Sequence, residues 1–577
     1  DLENMARVHY PDTYKDFNEA SFGSLMLDTV SYIGDILSFY VDYQVNESFF
    51  DSAIEYNNII RLSRQMGYKY KANPSSYGEV AIYAIIPASA TGLGPDPAYM
   101  PTLRRGTEHA STSGNTFILD EDVKFSDPSN ETVVARVDTA TGLPTSYAVR
   151  AYGRIVSGLF GVESLPAGSF ERFKRIKLAS NSITEIISVV DTEGNKYFEV
   201  EHLSQNTVYK EVVNKGDNSD TVPSLIRPMI VPRRFVVERE QNEIYLQFGY
   251  GSDREITTPS VADPKNVVID FNGRDHITDK SFDPYRLLQS DKFGIAPSNT
   301  TLTITYRTNT ATNVNAAAGS VTRVVRPLIE FEDRSTLLES SISDIINSLE
   351  SFNEEPINGD TTLPSANEIR RRTIDFFATQ NRAVTQLDYE SLVYSMPDNF
   401  GSIKRCRIIR DPDSLRRNLN LYVLSEDSAG KLATTNSTIK ENVKVWLNRT
   451  KMISDTIDIL DAKIVNVGID FEVVADEESN RFQLLSECVN VVKNLFATTP
   501  FIGEPLYLTD IYSALNKVDG VVDTKRVEVA NKVGTNYSTT RFDLNNALSA
   551  DGRYLSVPQN VALEVKFPDT DIKGAIS

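Results

Sequence analysis

The chain has 577 residues, 40% of them apolar and 24% charged, which suits several folded domains but is too long for one hydrophobic core. Its 79 acidic against 59 basic residues leave a formal net charge of −20, a field that disfavours general binding to nucleic-acid phosphates or anionic lipid surfaces. No apolar run reaches the ~18 residues of a membrane span, and two cysteines, Cys406 and Cys488, are too few for a disulfide-stapled fold.

Residues 1–74 are expected to form a helical assembly segment. Between residues 21 and 47 no proline intervenes, and Met26, Val30, Ile33, Leu37 and Tyr40 recur at gaps of four and three, the spacing of a helix seam. Asp28, Asp35 and Asp42 fall seven apart on the side opposite that seam, while a second apolar line runs through Leu25, Tyr32, Ile36, Phe39 and Tyr43. Such a helix is about 40 Å long and needs neighbours on more than one side. At about 1.5–3 kcal/mol per large side chain, leaving the seam in water forgoes about 10 kcal/mol, comparable to a whole domain's stability. The cover is either an intramolecular helical subdomain or a bundle with helices of other subunits. A second helix is expected over residues 52–66, ending at Gly67.

Beyond Pro74 the pattern turns to strands. Val80, Ile82 and Ala84 alternate with Ala81, Tyr83 and Ile85, and short β-type runs follow at 117–119, 133–137, 235–238, 244–248 and 302–306. Residues 75–325 therefore read as a β-rich middle region, and the acidic, turn-rich residues 326–364 as a connector. In the α+β module of residues 365–480, helices are expected over 367–377 (N-cap Ser365), 385–396 and 438–447. Thr385 and Asp388 stand at capping-box spacing. Strands are expected over 403–409 and 419–424, with one long strand over 456–474. Residues 481–577 form a C-terminal α+β module with helices over 483–496 and 509–517 and a strand over 521–529. The fold class is multidomain α+β, with antiparallel sheets in the small modules.

No catalytic constellation emerges. The four histidines, His9, His109, His202 and His276, lack metal-ligand spacing, and no Cys-x-x-Cys, phosphate loop or nucleophile elbow occurs. The glycine-rich stretch at Gly249, Tyr250 and Gly251 reads as a β-turn. Glu354 and Glu355 loosely suggest a glycosidase stretch but have no nominated second carboxylate. Arg370, Arg371 and Arg372 read as a solvated or salt-bridged helix face, or as an interface for an acidic partner. The expectation is a protein that is not an enzyme, with no catalytic residue, cofactor or metal.

Several longer stretches point further. FGSLMLDTVSYIGDILSFYVDYQVNESFFDSA (22–53) and RLSRQMGYK (61–69) resemble the N-terminal helical signature of baseplate wedge proteins from contractile-tailed phages. The resemblance is to the gene product six type of T-even-like phages, related to baseplate J-like proteins. LRRGT (103–107), LQFGYG (246–251), residues 282–307, residues 380–405 and IGEPLYLTDIYSALNKVDGVVD (502–523) extend it in order over most of the chain, with Tyr250 standing where J-like proteins often carry Asp. The resemblance implies a structural virion protein in the tail baseplate, assembled in the host cytoplasm. Its implied partners are other wedge proteins, a second copy of itself and neighbouring wedges in a ring around the tail hub, with no nucleic acid and no membrane. It also implies a part in the rearrangement that triggers sheath contraction and host-cell ejection. On this reading Leu25, Met26, Val30, Ile33, Leu37 and Tyr40 carry bundle formation. The alternatives are a tail adhesin or spike component, for which the usual β repeats are not found, and a polysaccharide hydrolase.

Overall fold

The structure is a computed structural model that describes residues 2–9, 22–69, 75–89, 93–213, 224–240, 243–251, 293–309, 314–360, 364–397, 400–413, 418–476 and 479–577. His276 and residues 282–292 of one family-like stretch lie outside the described residues. The chain divides into two compact units, Asp1–Tyr70 with Leu363–Asn381, and Lys71–Thr362 with Arg382–Ser577. Among the described residues no helix is long and apolar enough to cross a membrane.

The first unit is helical. Leu2–His9 and the long helix Phe22–Glu47 are followed by Tyr56–Gln65, and the helix Ala366–Thr379 joins them from far along the chain. Ala53, Ile59, Tyr68 and Ile369 form a small buried core, with Phe50, Tyr56, Leu62 and Phe376 packed around it. Tyr56–Gln65 ends in a Schellman motif: the Tyr68 N–H donates to the Ser63 carbonyl and the Gly67 N–H to the Arg64 carbonyl. Gly67 takes φ +91, a left-handed conformation in which a Cβ is strained. Ser365 caps Ala366–Thr379, its hydroxyl accepting the Glu368 N–H.

The second unit opens with a closed ring of six strands. Tyr77–Pro87 pairs antiparallel with Pro144–Ser157 on one side and with Glu350–Phe352 on the other. Val321–Arg326, Glu108–Ser111 and Thr116–Leu119 complete the circuit back to Pro144–Ser157. Val80, Ile82, Ala84, Ile86, Phe117, Leu119, Val149 and Ile155 are buried in one core there. Residues 326–364 thus supply a stave of this ring, along with the helix Glu339–Asn347, whose Ile342 and Ile345 are buried. A second, open sheet runs in the order Leu159–Pro166, Thr301–Thr308, Ile183–Asp191, Lys196–Glu199, Arg234–Glu240, Glu243–Phe248, Arg175–Lys177.

Two small α+β layers follow. In the first, Arg405–Arg410 pairs antiparallel with Asn418–Glu426, which pairs parallel with Thr456–Asp461 across the helix Ser437–Leu447. Parallel neighbours need such a crossover, so the sheet is mixed rather than antiparallel as expected. The helix Gln386–Tyr394 starts with the predicted capping box of Thr385 and Asp388. The single long strand expected over 456–474 is two strands: Thr456–Asp461 stays in this sheet, the buried Ala462 marks the switch, and Lys463–Ala475 enters the next. There Lys463–Ala475 pairs antiparallel with Val521–Lys532 and parallel with Val561–Glu564 and Ile572–Ile576. The helices Arg481–Leu495 and Leu508–Leu515 bury Leu484, Cys488, Val492, Ile511 and Leu515 in the same core. Cys406 is also buried, so both thiols are core groups.

A buried ion triad sits within this unit. The Lys404 ammonium lies 3.3 Å from Asp360 and 3.0 Å from Glu426, all three nearly out of water. Such charges persist in the interior only when paired and hydrogen-bonded.

Candidate assembly interface

The helix Phe22–Glu47 spans 26 residues, about 39 Å at 1.5 Å per residue. All six residues expected to carry bundle formation, Leu25, Met26, Val30, Ile33, Leu37 and Tyr40, lie on it and are 50–62% exposed. Phe22, Tyr32, Phe39, Val41 and Val45 are exposed as well, and Glu47 is the one buried residue of the helix. At about 100° per residue, its apolar positions cover an arc of roughly 240°, against the roughly 100° stripe of a helix that packs on one surface. Phe39 stacks on Tyr43 at 6.2 Å and meets Tyr40 edge-on at 5.9 Å, a run of rings along the helix surface.

The base of this helix is held by one carboxylate. Glu47 accepts the Ile54 N–H at 2.7 Å, the Glu55 N–H at 3.2 Å and the Asn58 side-chain amide at 2.9 Å. It thereby supplies an anion at the start of Tyr56–Gln65, where backbone N–H groups lack intrahelical partners and the helix dipole is positive. The Asn58 amide and the Ile54 N–H hold the Glu47 carboxyl below its ordinary range. Nearby, the Tyr43 hydroxyl donates to Glu55 at 3.0 Å, and that bond raises its pKa. In the sequence, Glu47 is marked only as an acid just before a short loop and a second helix.

The three adjacent arginines turn out to be used within their own unit. Arg370 donates to the carbonyls of Phe50 and Ala53 and to Asn367. Arg372 pairs with Glu368 at 2.7 Å, and Arg371 approaches Asp375 at 3.9 Å. The salt-bridged reading of this face holds, and Arg370 additionally clamps the loop between the first two long helices.

The other sequence candidates resolve into local packing. Glu355 accepts from the backbone N–H and hydroxyl of Ser437, at 2.9 and 2.8 Å, at the start of the helix Ser437–Leu447. Glu354 accepts from the Tyr152 hydroxyl at 3.2 Å. At the glycine-rich turn, Tyr250 lies against Phe173, with the Arg172 guanidinium 4.4 Å from its ring centre. A Cβ on Gly249 would run into the backbone carbonyls of Phe293 and Gly294, which accounts for glycine there. Among the described residues no group of His, Cys, Asp and Glu is placed to hold a metal ion.

Residues 2–65 match the family model described as bacteriophage baseplate protein, N-terminal domain. The match covers the helices that carry the exposed apolar arc and its Glu47 anchor, and it supports a structural role in a phage-type baseplate. No curated protein matches the chain. Among solved structures, a chain of the anti-feeding prophage (AFP) baseplate, determined by cryo-electron microscopy with six-fold symmetrisation, aligns with 98% of this chain and 90% of its own length. Identity is 9% and the TM-score 0.24, too low to define a shared fold.

Proposed function

We propose that this chain is a baseplate wedge subunit of the gene product six type, with a structural rather than an enzymatic task. In this reading the helix Phe22–Glu47 enters a bundle with helices of other wedge proteins and of a second copy. The observation that carries it is the roughly 240° apolar arc left open on a helix that the baseplate N-terminal match includes. Wedges built this way would close into a ring around the tail hub in the tail of the virion, after assembly in the host cytoplasm. Ring closure needs two different contact surfaces on each chain, and the small α+β layers of the second unit are the natural second surface. The ring would then take part in the rearrangement that triggers sheath contraction and ejection into the host.

The test is co-purification from infected or producing cells. The Ile33→Asp/Leu37→Asp variant should lose its partner subunits while its second unit melts as in the unaltered chain. Retention of the partners at unchanged stoichiometry would reject the reading.

A further inference from the structure

We infer that the two apolar lines of Phe22–Glu47 take different partners. The line through Leu25, Tyr32, Ile36, Phe39 and Tyr43 docks a helix of another chain that carries Lys or Arg every seventh residue along one flank. This rests on the bundle reading above and adds the chemistry of the partner.

The two lines differ in what borders them. Around the seam Met26, Val30, Ile33, Leu37 and Tyr40, the flanking positions of the heptad are Leu27, Gly34 and Val41 on one side and Thr29, Ile36 and Tyr43 on the other. None is charged, so nothing on that seam opposes pairing with a second copy. The other line is bordered by Met26, Ile33 and Tyr40 on one side and by Asp28, Asp35 and Asp42 on the other. The three aspartates sit about 60–100° round the helix from the centre of the line, the position from which a seam-flanking residue reaches its partner helix. They are exposed, and none makes a hydrogen bond or ion pair among the described residues.

From residue 22 to residue 47 there is no Lys, Arg or His. A second copy laid on this line therefore cannot answer the aspartates from its own helix. Run antiparallel, it brings the two rows of aspartates face to face; run parallel, it presses them against Met26, Ile33 and Tyr40. Either arrangement strips water from carboxylates with no opposite charge in reach. A helix with basic residues at seven-residue spacing removes that conflict in every heptad it shares, which is how flanking charges choose partners in coiled coils.

The test uses the full chain and two labelled synthetic helices of about four heptads. Both carry Leu and Ile along the seam; one has Lys and the other Glu at all flanking positions. Binding is read by fluorescence anisotropy at low and high salt. The Lys helix should bind at least about tenfold more tightly at low salt, with the margin shrinking as salt rises. The Asp28→Lys/Asp35→Lys/Asp42→Lys variant should prefer the Glu helix. Equal affinity of the unaltered chain for both helices would overturn the partner chemistry while leaving bundle formation standing. Self-association of the unaltered chain that is lost in the triple-Lys variant would assign the line to a second copy and overturn the inference. If neither helix binds and the Ile33→Asp/Leu37→Asp variant still keeps its native partners, the bundle reading itself falls.

Discussion

The strand Tyr77–Pro87 and the helix Phe22–Glu47 are both rich in large apolar residues, and their circumstances are opposite. The strand has a partner on each edge, and Val80, Ile82, Ala84 and Ile86 are lost to solvent inside a closed ring. The helix is anchored at its base by Glu47, yet eleven large apolar side chains along it stay exposed. Local chain chemistry is sufficient to finish the ring: every stave comes from the same chain, even when it must be brought from residue 350. The helix, in contrast, is long, two-sided and acidic, and among the described residues its large apolar side chains find no cover within their own unit. A contiguous exposed apolar face of this extent is the common mark of a surface that meets another protein or a membrane.

Several substitutions sharpen this contrast by acting on one region and sparing the other. The largest effect is expected at the buried triad of the second unit. Lys404→Ala leaves Asp360 and Glu426 facing each other without a cation and should cost about 3–5 kcal/mol, read as a fall in the denaturant midpoint. Partner capture by the N-terminal helix should be unaffected at temperatures where the variant is folded.

Next comes an acid dependence. His109 lies fully buried on the ring strand Glu108–Ser111, neither ring nitrogen has a hydrogen-bond partner among the described residues, and burial lowers its pKa to about 4. The unfolded chain takes up this proton near pH 6.5, the folded chain only near pH 4. Stability should therefore fall as pH drops through that window, by roughly 3 kcal/mol from this residue. His109→Leu should flatten that part of the pH–stability curve; an unchanged slope would remove His109 as its source.

Smaller effects belong to the helix ends. Gly67→Ala forces a Cβ into a left-handed turn and should lower stability of the first unit by about 1–2 kcal/mol. Thr385→Ala removes one side of the capping box and should cost about 1 kcal/mol in the second unit. Glu47 has a lowered pKa in the folded chain, so its contribution is present above the ordinary carboxylate range and lost as pH falls through the folded value. Glu47→Gln should remove that acid dependence, and amide exchange at Ile54 and Glu55 would show it.

Where sequence and structure agree, the physical signals were local. Heptad spacing outlined Phe22–Glu47, side-chain oxygens at Ser365 and Thr385 marked two helix starts, and alternation found the core of Tyr77–Pro87. The ring escaped detection because its closing strand, Glu350–Phe352, is three residues long and lies in an acidic, turn-rich stretch whose composition suggests a connector. The switch at Ala462 escaped because β-type residues continue through it without a Gly or Pro, so only the pairing partners reveal that two sheets are involved. At the candidate interface the apolar seam was legible, whereas the Glu47 anchor and the Arg370 clamp depend on loop geometry between residues 47 and 55.

On the proposed function, Phe22–Glu47 is exposed in the free chain and covered by other chains in the assembled particle. Hydrogen–deuterium exchange of the same peptides, spanning residues 22–47, in the isolated protein and in the intact assembly tests it directly. Strong protection of these peptides on assembly, lost in the Ile33→Asp/Leu37→Asp variant, is the expected result. Exchange at the same rate in both states would contradict it.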